Sequence, residues 1–176
     1  MLIITAPGQG AQTPGFLAPW LELPGVAERL GAFSELARCD LIRAGTTASA
    51  DEIKDTAVAQ PLLLAAALIA AGELAGTVPA AAPREVIADA AAGHSVGELA
   101  AGVIAGVLTA EDAMRLVAVR AAAMAQAAAA EPTGMTAVLG GDQGAVLAAI
   151  DGHGLTAANV NTAGQIVAAG ALTDLA

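Results

Sequence analysis

Residues 93–97 read GHSVG, a serine between two glycines, after a run of small residues and before a helical pattern. In the pattern G-x-S-x-G the serine sits on a strained turn between a buried strand and a helix. Side chains at Gly93 and Gly97 would collide where strand and helix pass closely, so glycine suits both places. Such a turn holds the Ser95 hydroxyl in the open, at the positive end of the following helix. It also aims the backbone N–H of Val96 at the oxyanion of a tetrahedral intermediate. A second Gly-rich stretch, PGQGAQ at 7–12, follows an apolar run. Its glycines let the backbone and the Gln9 amide approach a substrate closely. It is neither G-x-G-x-x-G nor a Walker sequence with its lysine, and taken alone it reads as a turn.

A serine hydroxyl needs a base to become a nucleophile at neutral pH. The chain offers two histidines. His94 adjoins Ser95, and neighbours on such a turn point to different sides, so His94 reads as a wall of the pocket. His153, in DGHGL, reads as a solvated residue of a helix-ending turn. Cys39 is the single cysteine, which excludes an intrachain disulfide and favours a reducing compartment. The residue itself reads as half-buried and apolar.

The elements that must hold these residues alternate in period. LIITA at 2–6 reads as a short buried strand ended by Pro7-Gly8. A helical region runs from Pro24, as a first helical residue, to Arg38. SADE at 49–52 is a capping-box signature, and a long helix covers Gln60 to Leu74. EVIADAAAG at 85–93 reads as a second buried strand, with helix from Ser95 to Ala105. TAED at 109–112 is another capping box, opening a helix that Glu131-Pro132 ends. This alternation predicts an α/β layered fold with a parallel sheet.

From Gly134 the texture changes. MTAVLGG, LTAANVN and GQIVAAG read as strands, DQGAVLAAIDGHG as a helix, and LTDLA as a helix beginning, capped by Thr173. A β-α-β-β run of this kind matches the first part of a ferredoxin-like β-α-β-β-α-β unit. With the last helix and strand of that unit absent, the chain reads as a truncated protein.

Composition sets the outer limits. The chain has 176 residues, 56% hydrophobic and 14% charged, so disorder is excluded. Seven basic residues face 17 acidic ones without any basic cluster, which argues against a nucleic-acid partner. PLLLAAALIAAG is roughly half the ~20 apolar residues of a membrane span and reads as a buried helix, so no membrane partner is expected. The N-terminus lacks the basic region of a signal peptide, and a cytoplasmic location follows as the expectation. No metal and no cofactor are expected.

PGQGAQ, AQPLLL at 59–64, GHSVGELAA, MRLVAVRAAAM at 114–124, and GMTAVLG with NVNTAGQIVAAG stand in order along the chain. Together they resemble the malonyl-CoA:acyl-carrier-protein transacylases. The resemblance implies a hydrolase-like three-layer α/β core with a parallel sheet over 1–132, and an inserted ferredoxin-like small lobe, incomplete here, over 133–176. It implies Ser95 as nucleophile, forming a malonyl ester that passes from malonyl-CoA to the phosphopantetheine thiol of acyl carrier protein. Gln9 and the Val96 N–H would form the oxyanion hole, and Arg120 would pair with the free carboxylate of malonate. Arg115, on the same helix, would face solvent. The family's base is a histidine in a GAFH-like motif beyond the small lobe, so residues 1–176 alone are expected to show little transfer. A serine acyl hydrolase of related fold is the alternative within catalysis. An inactive fragment, or a module that only binds CoA or carrier protein, is the alternative outside it.

Overall fold

The computed structural model describes residues 1–76, 88–162 and 164–175, which form two compact units, Met1–Ala125 and Gln126–Ala176. The first unit is built on β1 (Ile3–Ala6) and β2 (Ala90–Gly93), paired in parallel with Ile3 opposite Ala90 and Ala6 opposite Gly93. Parallel strands need a crossover, and helices supply it here. They are α1 (Val26–Ala37), α2 (Leu41–Thr46) and α3 (Thr56–Leu74). After β2 come α4 (Gly97–Ile104) and α5 (Ala110–Ala130). The fold class is therefore α/β with a parallel sheet. Residues 85–87 of the expected second strand lie outside the described residues.

Helices α1 and α5 each bury one stripe. On α1 it is Val26, Leu30, Phe33 and Ala37, and on α5 Ala113, Met114, Val117 and Ala121. Helix α3 is the core element. It is long and apolar enough to cross a membrane by length and composition, yet more than half of it is buried inside the protein. Leu62, Leu64 and Ile69 lie fully buried in one cluster with Leu30, Leu41, Val96, Met114 and Val117. Full burial of each such side chain stabilises by about 1.5–3 kcal/mol. Cys39 is half-buried, and that burial pushes its thiol pKa up.

Several boundaries differ from the sequence expectation, each for a local reason. Helix α1 does not begin at Pro24; its N-cap is Gly25, at φ 81°. Helix α4 begins at Gly97 rather than Ser95, because Ser95 itself is in the left-handed region at φ 56°. Helix α2 was not anticipated. It is a single short piece held by Asp40, whose carboxylate accepts from the Arg43 N–H at 2.9 Å.

The SADE capping box forms, with the Ser49 N–H donating to Glu52 Oε2 at 2.9 Å and the Glu52 N–H to Ser49 Oγ at 3.3 Å. It opens a short 3-10 turn over Glu52–Lys54 instead of the long helix. The bond from the Ser49 N–H, with Arg43 at 2.8 Å, holds the exposed Glu52 carboxyl down at about 2. The long helix starts at Thr56, earlier than Gln60, and is capped by Asp55, which accepts from the Ala57 N–H at 2.8 Å. At α5, the Asp112 N–H donates to Thr109 Oγ1 at 3.0 Å.

The second unit contains β3 (Thr133–Leu139), α6 (Gln143–Gly152), β4 (Thr156–Thr162) and β5 (Gln165–Ala171). The sheet order is β3-β5-β4, antiparallel throughout. The last strand thus lies between two strands joined through a helix, a split β-α-β arrangement. Ile150, Ile166 and Ala168 form its buried centre, with Val146, Leu147 and Leu155 packed on them. His153 ends α6 in the exposed turn expected of it. Thr173 caps no helix among the described residues. Residues 172–174 form a turn, and the Thr173 hydroxyl donates to Asp174 Oδ1 at 3.2 Å.

Candidate active site

The elbow at 93–97 is shaped by close backbone approach. A Cβ on Gly93 would collide with the backbone of Gly97 and Glu98. One on Gly97 would collide with the Ala6 carbonyl and reach within 2.7 Å of the Pro7 carbonyl oxygen. Strand β1 and the start of α4 therefore touch through Gly97, and only hydrogen fits between them. The chain clears this contact by placing Ser95 at φ 56°, where an L residue costs roughly 1–2 kcal/mol. Two bonds close the turn, His94 N–H to the Ala6 carbonyl at 3.1 Å and Gly97 N–H to the His94 carbonyl at 3.0 Å. Ser95 is left exposed, while Val96 is fully buried beneath it.

The loop at 7–12 is held differently. Gln9 Nε2 donates to the Lys54 carbonyl at 3.0 Å, and Gln12 Nε2 to the Ile53 carbonyl at 2.9 Å. Gln12 Oε1 in turn accepts from the Gly10 N–H at 2.9 Å. Two glutamines thus fasten this loop to the 3-10 turn. Gln9 Oε1 accepts from the Thr56 hydroxyl at 3.0 Å, so both ends of that amide are engaged. Among the described residues, the backbone N–H groups of Gln9 and Val96 donate to nothing in the protein. The Gln9 side chain is thus committed to protein partners, while these two backbone N–H groups are not.

Arg120 comes from α5 and meets Ser95 from 25 residues further along the chain, its Nη2 donating to Ser95 Oγ at 3.2 Å. Its Nη1 donates to Gln60 Oε1. Arg115, one face round the same helix, is exposed and pairs with Asp112 at 3.1 Å. His94 is exposed, with its ring packed over Gly8, and it makes no hydrogen bond to Ser95.

Sequence reading did not assign Gln60, yet the structure brings it here. It is the one buried polar side chain of the core among the described residues, 1% exposed. Its signal was visible in principle: a lone amide inside the apolar run AQPLLLAAALIAA has no reason to be there unless something polar meets it.

This geometry can do acyl transfer. An open hydroxyl accepts from the Arg120 guanidinium, and the backbone N–H of the next residue, Val96, donates to nothing among the described residues. A guanidinium grips a carboxylate with two parallel bonds, which selects an acyl group ending in an acid.

Residues 7–176 match the acyl transferase domain family. The chain is 56% identical over 175 residues to the malonyl CoA-acyl carrier protein transacylase of Mycobacterium tuberculosis, covering 99% of this chain and 57% of that protein. It is 38% identical over 170 residues to the malonyl CoA-acyl carrier protein transacylase of Haemophilus influenzae, covering 94% and 53%. The crystal structure of MCAT from Mycobacterium tuberculosis superposes with a TM-score of 0.88 over 98% of this chain and 56% of that one, at 56% identity. The chain spans little more than half the length of these relatives. It belongs to the acyl transferase domain family.

Proposed function

We propose that the protein transfers a malonyl group from malonyl-CoA to the phosphopantetheine thiol of acyl carrier protein, through a malonyl ester on Ser95. One observation carries the choice of substrate: the Arg120 guanidinium stands 3.2 Å from the Ser95 hydroxyl, within reach of a short diacid attached there. In the reaction, Ser95 Oγ attacks the thioester carbonyl and its proton passes to a base. The N–H groups of Gln9 and Val96 hold the oxyanion, which collapses with loss of the CoA thiolate. Arg120 keeps the malonyl carboxylate until the carrier thiol attacks the ester and frees Ser95. The base is not His94, whose ring packs over Gly8. By the family resemblance it is a histidine beyond the small lobe.

The names of the relatives support the donor and acceptor. A solved malonyl-transacylase in complex with its type II polyketide synthase acyl-carrier protein, 30% identical with a TM-score of 0.84, supports a carrier protein as partner. The free Cys39 supports a reducing, cytoplasmic setting.

Incubation of the full-length protein with labelled malonyl-CoA tests the reading. Label is expected on Ser95 and none on Ser95→Ala; equal labelling of the two ends it. Arg120→Ala should lower the preference for malonyl-CoA over acetyl-CoA by about 10–150-fold, the worth of a charge-assisted bond. An unchanged preference removes Arg120 from the carboxylate.

A further inference from the structure

The carboxylate-facing arginine and the loop that carries the Gln9 N–H are not independent. A single file of hydrogen bonds joins them. Arg120 Nη1 donates to Gln60 Oε1, and Gln60 Nε2 donates to Thr56 Oγ1 at 2.7 Å. Thr56 Oγ1 donates to Gln9 Oε1 at 3.0 Å, and Gln9 Nε2 donates to the Lys54 carbonyl at 3.0 Å. Every bond runs the same way, from a permanently charged donor to a backbone carbonyl.

That direction is forced. Arg120 can only donate, so Gln60 must turn its oxygen toward it. The Gln60 NH2 then faces Thr56, and Met124 Sδ accepts from the same nitrogen at 3.2 Å, which holds the amide against flipping. Thr56 has one hydroxyl proton. Accepting from Gln60, it spends that proton on Gln9 Oε1, which turns the Gln9 NH2 toward Lys54. Bonds aligned in this way polarise one another, and a low-dielectric interior strengthens them. Gln60 is buried and Thr56 half-buried, so the Arg120–Gln60 and Gln60–Thr56 links are shielded from water, while the Thr56–Gln9 link lies at the exposed end of the file.

We infer that Thr56 is a positioning residue, whose hydroxyl couples the orientation of Arg120 to that of the Gln9 loop. The inference rests on the transacylase reading above and adds a residue to it. Thr56 opens α3, yet helix capping does not explain its hydroxyl: the Asp55 carboxylate performs that task on the Ala57 N–H. A methyl in place of the hydroxyl keeps the shape of the side chain and cuts both links at once. Gln60 then keeps only the weak Met124 Sδ acceptor on its nitrogen, so the amide that meets Arg120 is less firmly oriented, and Gln9 is held only from the Lys54 side.

The test compares Thr56→Val and Thr56→Ser with the unmodified full-length protein. It reads kcat/KM for Ser95 acylation from malonyl-CoA and from acetyl-CoA, together with the thermal midpoint. In Thr56→Val the malonyl-to-acetyl ratio is expected to fall about 3- to 10-fold, the worth of one lost hydrogen bond. Thr56→Ser, which keeps the hydroxyl, should restore it to within about twofold. A loss shared equally by both substrates, a serine variant that rescues nothing, or a Thr56→Val chain that fails to fold each overturns the inference. Unmodified protein that takes no label from malonyl-CoA removes the transacylase reading and the inference with it. Labelled protein with an unchanged ratio in Thr56→Val removes the inference alone.

Discussion

The elbow that carries Ser95 and the Gly-rich loop at 7–12 are held in place by different physics. The elbow at 93–97 is held by steric exclusion: no side chain fits at Gly93 or Gly97, and Ser95 accepts a left-handed backbone to let β1 and α4 touch. The loop at 7–12 is held by amide hydrogen bonds from Gln9 and Gln12 to the Ile53 and Lys54 carbonyls. A hard-core clash rises steeply over a few tenths of an ångström, whereas a hydrogen bond exchanges with water at modest net cost. The elbow should therefore fail abruptly on substitution, and the loop should weaken by degrees.

Four substitutions would break or sharpen that contrast. The largest effect is expected from Gly97→Ala, whose Cβ must displace the Ala6 and Pro7 carbonyls of the neighbouring segment. A loss of about 3 kcal/mol or more in urea unfolding is expected, the upper range of overpacking costs. A loss below about 1 kcal/mol would mean that strand and helix part easily, and the steric account of the elbow falls. Gln12→Ala removes bonds to both Ile53 and Gly10. It should cost about 1–2 kcal/mol in the same measurement, and leave the fold intact.

Ser95→Gly goes the other way. Relief of the left-handed strain should raise stability by up to about 1 kcal/mol while abolishing acylation, a gain at the site of lost function. A destabilised Ser95→Gly would show that the turn stores no strain.

The smallest effect lies at the exposed turn that receives the loop. Glu52 sits at about 2 in the folded protein against an ordinary 4.5. A carboxyl held down in this way contributes stability above pH 4.5, and that contribution fades as pH falls toward 2. Glu52→Gln should flatten the acid limb of the stability profile slightly, because exposed pairs contribute little. An acid limb of unchanged slope would mean the Ser49 and Arg43 bonds to Glu52 do not persist in solution.

The elbow was legible in the sequence because its cause is local. Two glycines around a serine, between a run of small residues and a helical pattern, announce a turn that excludes side chains. The loop was less so. PGQGAQ shows that backbone can come close to something, but not that Gln9 and Gln12 spend their side chains on carbonyls far along the chain. The role of the Gln9 amide was accordingly open in the sequence, and the structure leaves its backbone N–H as the free donor. Helix α2 escaped notice because LIRAGT is too short for a periodic signal and is held by one aspartate.

What the sequence determined by itself is whatever depends on spacing within a few residues: the capping bonds at Ser49 and Thr109, and the serine on its turn. Motif resemblance pointed to Arg120 over Arg115, but only tertiary structure set its guanidinium 3.2 Å from the serine hydroxyl and gave the buried amide of α3 its partner. Both depend on hydrogen-bond direction between elements distant in the chain. A donor acquires its meaning only when folding sets an acceptor within about 3 Å of it.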